Sequence, residues 1–305
     1  MKIETKKKLD LLFKAFLIFT SIVSILITLA IVFVLVEDTI RFFTHPEGGG
    51  FPTTLIRFFT EKEWTPTFVT KKIGIWPLLA GTFLIAVIAM IISIPLGLII
   101  AVYLSEFASF RVKEAIKPLI DFLEAVPTVV YGYFALLGVT PLLQWILKFF
   151  HIEMEGMNAL SPGIVLGIMI LPFTASMVED SLRGVPQYLR EASYALGASK
   201  LRTAFFVVVP AAKSGIIASY LLGVSRALGE TMVVAVAAGM YPNLTINPLE
   251  PVQTITGYIV QVALGDLPYL SFEYLSIFAA GFMLFLVTLF FNLAAVYFKS
   301  KMERY

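Results

Sequence analysis

Six apolar runs constrain this chain more than any other feature: Ala15–Val36, Ile73–Tyr103, Pro118–Leu147, Pro162–Val178, a stretch within Ser214–Met240, and Tyr274–Phe298. A helix that crosses about 30 Å of hydrocarbon needs about 20 mostly apolar residues. Each run reaches or approaches that length. The composition agrees, with 58% of the 305 residues hydrophobic and 14% charged; an ordinary soluble domain carries about 25% charged residues. So apolar a chain is not intrinsically disordered. It has no cysteine, which removes disulfides, thiol nucleophiles and Cys-ligated zinc. Its two histidines, His45 and His151, are too few and too far apart for a metal site. The net charge of +2 says little, and no nucleic-acid partner is expected. The expectation is an all-α membrane protein with six transmembrane helices in a lipid bilayer. The first run is long for the apolar part of a signal peptide, and Glu37-Asp38 follows it without a small-x-small cleavage site, so it is read as a retained helix.

Six spans put both termini on one side, and lysine and arginine say which. Lys6, Lys7, Lys8 and Lys14 precede the first run, and Lys299, Lys301 and Arg304 follow the last. Arg111, Lys113 and Lys117 follow the second, and Arg183, Arg190, Lys200, Arg202 and Lys213 follow the fourth. The other side has Arg41, Arg57, Lys62, Lys71, Lys72 and Lys148, balanced by acids, and its loop Tyr241–Glu273 has neither Lys nor Arg. Both termini are therefore expected in the cytoplasm. Residues 1–72 form a tail, one helix and an outer loop made irregular by Pro46, Gly48-Gly49-Gly50, Pro52 and Pro66. A short amphipathic helix is expected there around Leu55–Phe59. Residues 73–305 form a core of five further helices. Thr254–Leu264 is semi-apolar but too short to span, and reads as an interfacial or re-entrant helix.

The loop 179–210 is the most informative stretch. Pro186 suits a first helical turn, Gly197 suits a left-handed position just past a helix end, and Ser199 suits the cap of a second helix. Two short helices meeting at a glycine would make an elbow on the cytoplasmic surface, with Tyr188, Leu189, Ala192, Ala195 and Leu196 as its apolar stripe. A juxtamembrane helix that only seals the loop is the plainer reading. Glu191-Ala192-Ser193, then Gly197 after three residues, then Val207-Val208-Val209-Pro210 after nine, resembles the cytoplasmic signature of bacterial ABC importer permeases. That signature is Glu-Ala-Ala, three residues, Gly, nine residues and Ile-x-Leu-Pro. The departures are Ser for Ala and Val for Ile and Leu. The resemblance implies a type I ABC importer permease fold. It also implies that Glu191, Ala192, Gly197, Lys200, Arg202 and Pro210 belong to a coupling loop seated on an ATPase subunit. No G-x-x-x-x-G-K-[ST] occurs in the chain, so it carries no phosphate cradle of its own. It is expected to be no enzyme and to hold no cofactor, with ATP and Mg bound by the partner ATPase.

The fifth run carries Arg226 and Glu230 near its middle. An ionisable group at the centre of a span costs about 2.5–3.5 kcal/mol on insertion scales and usually faces a cavity or a partner. The i, i+4 spacing places both on one helix face. A mutual ion pair that merely allows insertion is the plainer reading, but Arg before Glu is the less favourable order. A guanidinium can fork onto an oxyanion, and anion pores use Arg or Lys in this way. Glu230 could accept the proton of hydrogen phosphate, which sulfate lacks. Ser225 and Thr231 add hydroxyls. Asp121 and Glu124 either line an inner vestibule or, the reading preferred, sit near the cytoplasmic interface and cap a helix start, and Pro127 with Thr128 is read as a candidate hinge or gate.

Ser225-Arg226-Ala227-Leu228-Gly229-Glu230-Thr231-Met232 is similar to the Gly-Arg-Ala-x-Gly-Glu-Thr-Met stretch of phosphate ABC transporter permeases. Val126-Pro127-Thr128-Val129-Val130-Tyr131-Gly132 resembles their Ile-Pro-Ser-Val-Val-Tyr-Gly. Ser225 in place of Gly loosens the first motif. Met232 and the extra N-terminal span favour the PstC-like over the PstA-like subunit. The resemblance implies a PstA-like permease partner, a PstB-like ATPase dimer, a PstS-like phosphate-binding protein and inorganic phosphate as cargo. It also makes Arg226 and Glu230 the transport-critical pair. The alternatives are a permease for another oxyanion, such as sulfate or molybdate, a gradient-driven anion transporter, and a membrane scaffold.

Overall fold

The computed structural model describes the backbone of residues 2–302 and the side chains of residues 11–300 apart from Asp121. The charges expected at Lys6, Lys7, Lys8, Lys301 and Arg304, and the capping expected of Asp121, lie outside these described side chains. The described backbone is helical. In chain order the helices are α1 (Lys2–Thr44), α2 (Phe51–Thr60), α3 (Trp76–Val102), α4 (Phe110–Ala125), α5 (Thr128–Phe134), α6 (Thr140–Phe149) and α7 (Leu160–Arg183). They continue as α8 (Gln187–Ala195), α9 (Lys200–Thr203), α10 (Val209–Ala211), α11 (Lys213–Leu228), α12 (Met232–Ala237), α13 (Ile255–Ala263) and α14 (Phe272–Met302). Among the described residues, five stretches are long and apolar enough to cross a membrane: Leu11–Thr44, Trp76–Phe107, Thr128–Phe149, Leu160–Arg183 and Phe272–Ser300. Lys200–Ala211 and Lys213–Leu228, bent by 71° at their junction, make a sixth if counted as one.

Helix α7 is the centre. Of its most apolar window 67% is buried inside the protein, against 0% for α1. It lies along α3, with α11 against both, α14 against α11, and α1 outermost on α14. Small residues allow the close approach of α3 and α7. A Cβ at Gly167 would lie 2.8 Å from the Ala89 carbonyl oxygen. Ser93 Oγ and Thr174 Oγ1, both buried, meet at 2.7 Å across the same interface. The outer loop is more ordered than its glycines and prolines imply. It contains α2, which covers the expected Leu55–Phe59 helix, and an aromatic cluster in which Phe42 stacks on Phe272 at 4.8 Å. Trp64 packs edge-on to Tyr258 at 5.2 Å in the same cluster.

The chain departs from the sequence reading in two places. The third run does not begin at Pro118. Residues 110–125 form a separate amphipathic helix, α4, and the apolar stretch starts only at Thr128. Arg111, Lys113, Glu114, Lys117 and Glu124 are too many charges for a lipid-facing turn. Pro127 also pushes Val126 into an extended conformation (φ −67°, ψ 128°), which ends α4. The fifth run is not one helix through to Met240. It stops at Leu228 and resumes as α12 at Met232. The short helix expected near Thr254–Leu264 is α13, capped by Thr254 Oγ1, which accepts from Gly257 N–H. It is buried in the protein. Its Ile255 N–H donates to Thr82 Oγ1 at 3.0 Å, six residues inside α3.

Candidate functional site

Two charged constellations stand out, one at the elbow between α7 and α11 and one where α11 ends. The elbow forms as the residues predict. α8 stops near Gly197, whose φ of +78° is left-handed, and the Ser199 side chain accepts from Arg202 N–H to start α9. Glu191 and Ala192 are exposed on α8, Lys200 and Arg202 on α9, and Pro210 on α10. Around them Tyr188, Leu196 and Leu201 are exposed apolar side chains, Leu196 to 89%. The elbow meets α11 at the 71° bend beside Ala212, so the two are continuous in sequence but not collinear.

Arg190 looks like one more surface charge in the sequence, and the structure buries it. Its Nε–H donates to Glu106 Oε2 at 3.2 Å and its Nη2 to Glu106 Oε1 at 2.8 Å. Its Nη1 donates to the Val185 carbonyl at 2.6 Å and its Nη2 also to the Leu182 carbonyl at 2.9 Å. Glu106 lies on the π-helical turn Tyr103–Phe107 that extends α3. The fork therefore fastens α8 to the ends of α3 and α7. Lys200 sits over the Phe107 ring at 5.3 Å, a second tie to the same turn. A polar cavity of about 580 Å³ opens beside this clamp. Sequence reading passed over Glu106 because its partner is 84 residues away. The one signal was an acid among apolar residues at a helix end.

At the end of α11 the expected pair is rearranged. Arg226 lies in the last turn of α11, where a cation suits the helix dipole. Glu230 lies beyond the helix end, so the two are not stacked on one helical face. Instead, Glu230 Oε1 accepts from Met232 N–H at 3.1 Å and Val233 N–H at 3.3 Å. A carboxylate there satisfies the unpaired N–H groups that open α12. The hydroxyl of Thr231 donates to the Gly229 carbonyl at 3.3 Å within the break, and Thr256 of α13 donates to the Glu230 carbonyl at 2.6 Å. Ser225 is half-buried one residue before Arg226.

The partner of Arg226 is Glu124, whose Oε1 accepts from Nη1 at 2.8 Å. Glu124 was expected to cap a helix start, and it stands at the C-terminal end of α4 instead. The dipole there disfavours a carboxylate, and Arg226 compensates. Phe173 of α7 holds the guanidinium, with Cζ 4.9 Å from the ring centroid. Among the described residues, Nε and Nη2 of Arg226 donate no hydrogen bond. The arrangement presents a planar cation with donors to spare at the junction of α4, α7 and α11. Pro127 and Thr128 lie at the nearby break between α4 and α5.

Comparison with known proteins places the chain. The family described as "Binding-protein-dependent transport system inner membrane component" matches residues 93–304. The "Probable ABC transporter permease protein YqgH" of Bacillus subtilis is 33% identical over 81% of this chain and 78% of its own. The "Phosphate transport system permease protein PstC" of Xylella fastidiosa is 33% identical over 87% of this chain and 85% of its own. Among solved structures, a bacterial ABC transporter involved in the import of the acidic polysaccharide alginate superposes with a TM-score of 0.63 at 14% identity, over 100% of this chain and 99% of that one. The MetNI methionine ABC transporter, in an inward-facing conformation, gives 0.53 at 18% identity, over 75% and 94%. The helical architecture is therefore that of type I ABC importer permeases. Both the family match and the relatives extend over most of its length, and the chain belongs to the binding-protein-dependent transport system inner membrane components.

Proposed function

We propose that this chain is the permease subunit of an ATP-driven importer of inorganic phosphate, lining the translocation path and working by alternating access. One observation carries the reading: relatives similar over most of the chain, from Xylella fastidiosa to Methanocaldococcus jannaschii, bear the name of phosphate transport permeases. A PstA protein of Methanocaldococcus jannaschii is also 30% identical over 62% of this chain. That supports a heterodimer of two related permeases. A PstB-like ATPase dimer binding ATP and Mg would supply the hydrolysis, and a PstS-like protein would deliver phosphate. The lysines and arginines near the helix ends favour cytoplasmic termini and a cytoplasmic elbow.

In this reading, Arg226 donates to the passing oxyanion, with Ser225, Glu230 and Thr231 flanking it. Pro127 and Thr128 supply the hinge. Glu191, Ala192, Gly197, Lys200, Arg202 and Pro210 transmit movement from the ATPase. The exposed side chains of Leu196 and Leu201 suit an elbow that docks on a protein. The test is uptake by the complex reconstituted with its partner permease, ATPase and binding protein. Phosphate should accumulate only with ATP, and sulfate or molybdate should not compete. Uptake that needed only a proton gradient would overturn the reading, and strong competition by sulfate would change the cargo.

A further inference from the structure

The contact between Glu124 and Arg226 joins two elements of very different anchorage. Arg226 directly precedes the buried Ala227 and Leu228 of the main core. Helix α4 has no buried side chain among its described residues. It is flanked by extended backbone on both sides, at Ala108–Ser109 and at Val126–Pro127. Elements with so little burial open at low cost. A half-buried apolar stripe, Val112, Ile116, Ile120 and Leu123, and two ionic contacts hold α4 to the core. Lys117 approaches the buried carboxylate of Glu179 on α7 at 3.9 Å, and Glu124 reaches Arg226 at 2.8 Å. The two contacts are seven residues apart, two turns, and so lie on one face of α4. The phenol of Tyr131 adds a hydrogen bond to the Leu123 carbonyl at 2.7 Å.

Building on the reading of Arg226 as the anion donor, we infer that Glu124 is its resting counter-ion. It is a built-in carboxylate that latches α4 over the site and is displaced by the incoming oxyanion. A dianion that takes the free Nε–H and Nη2–H of Arg226 arrives beside the carboxylate held on Nη1, and the two like charges repel. Both side chains of the pair are more than a third exposed, so the latch is weak enough to be exchanged. Phosphate entry and release of α4 then become one event. Glu230 takes no part in the latch, because its carboxylate is engaged in capping α12.

The absence of cysteine allows a single label at Phe122→Cys, an exposed position on α4. In the assembled transporter, phosphate should increase the mobility of that label. With Glu124→Gln, which keeps shape and removes charge, the label should be mobile without phosphate. Half-maximal uptake should then need about two- to fivefold less phosphate, the range expected from removing one weak competing ion pair. Glu124→Ala should behave the same way, and co-purification with the partner permease checks folding. A rise in the phosphate requirement with new acceptance of sulfate would overturn the latch and make Glu124 an acceptor for the substrate proton. If Arg226→Ala abolishes uptake while Glu124→Gln changes neither label nor uptake, the latch alone fails. Normal uptake in Arg226→Ala would remove the anion-donor reading and the latch together.

Discussion

The molecule contains two arginine–glutamate contacts of opposite character. At the elbow, Arg190 and Glu106 are 11% and 6% exposed, fork onto each other, and the guanidinium also donates to two carbonyls. At the end of α11, Arg226 and Glu124 are 36% and 37% exposed and share one hydrogen bond. The same two side-chain types thus make a fastening in one place and an exchangeable contact in the other. Burial decides which. A buried pair whose guanidinium makes four hydrogen bonds is costly to break, whereas an exposed pair contributes little and yields to a competitor. On the proposed coupling role, a fastening suits the elbow, since movement received there would reach α3 and α7 only if the joint does not slip.

Point mutations test this contrast, and their expected effects on stability differ in size. Arg190→Ala should have the largest, about 3–5 kcal/mol, because it strands a buried carboxylate. Thermal unfolding in detergent would show it, and ATP hydrolysis no longer matched by uptake would show the slipped joint. Arg190→Lys should recover only part, since an ammonium cannot fork. Next is Gly197→Ala, at about 1–2 kcal/mol, because the residue sits at φ +78° where a Cβ is disfavoured. A normal melting temperature for that variant would mean the elbow is less rigid than described. Arg226→Ala should cost about 1 kcal/mol or less in stability yet abolish uptake, the reverse of a structural pair. A large loss of stability there would erase the distinction between the two contacts.

The smallest effect is expected at Lys71, which bridges Glu47 and Glu273 and lies over the Phe272 ring. Partial burial opposes its charge, but hydrogen bonds to the two carboxylates outweigh that and raise its pKa above the ordinary 10.5. A raised lysine pKa contributes stability that is complete below the unfolded value and lost as pH rises through the folded one. Wild type and Lys71→Met should therefore differ slightly in melting temperature at neutral pH and converge in strong alkali.

Much of the site was legible as residues and little of it as partnerships. The Gly197 turn, the Ser199 cap and the α2 helix follow from short-range rules of backbone conformation and capping, and they stand where expected. The long apolar runs for helices α1, α3, α7 and α14 were equally clear, because length and hydropathy are properties of a segment alone. The break after Leu228 was not. Apolar residues flank it on both sides, and what interrupts the helix is Glu230 capping α12 and Thr256 reaching in from α13. Glu124 was visible as an acid in an apolar run, but its role was misread because its partner lies 102 positions away.

A membrane protein of several helices, the place of its elbow and the few charges that interrupt its apolar runs can all be read from the residues alone. Those follow from hydrophobic length and local conformational preference, which act over a few residues. Which charge meets which is settled by how the helices pack. Arg226 takes Glu124 rather than Glu230, and Arg190 takes Glu106, because such pairings are set by which helix ends the packed bundle brings within about 3 Å, the range of a charged hydrogen bond.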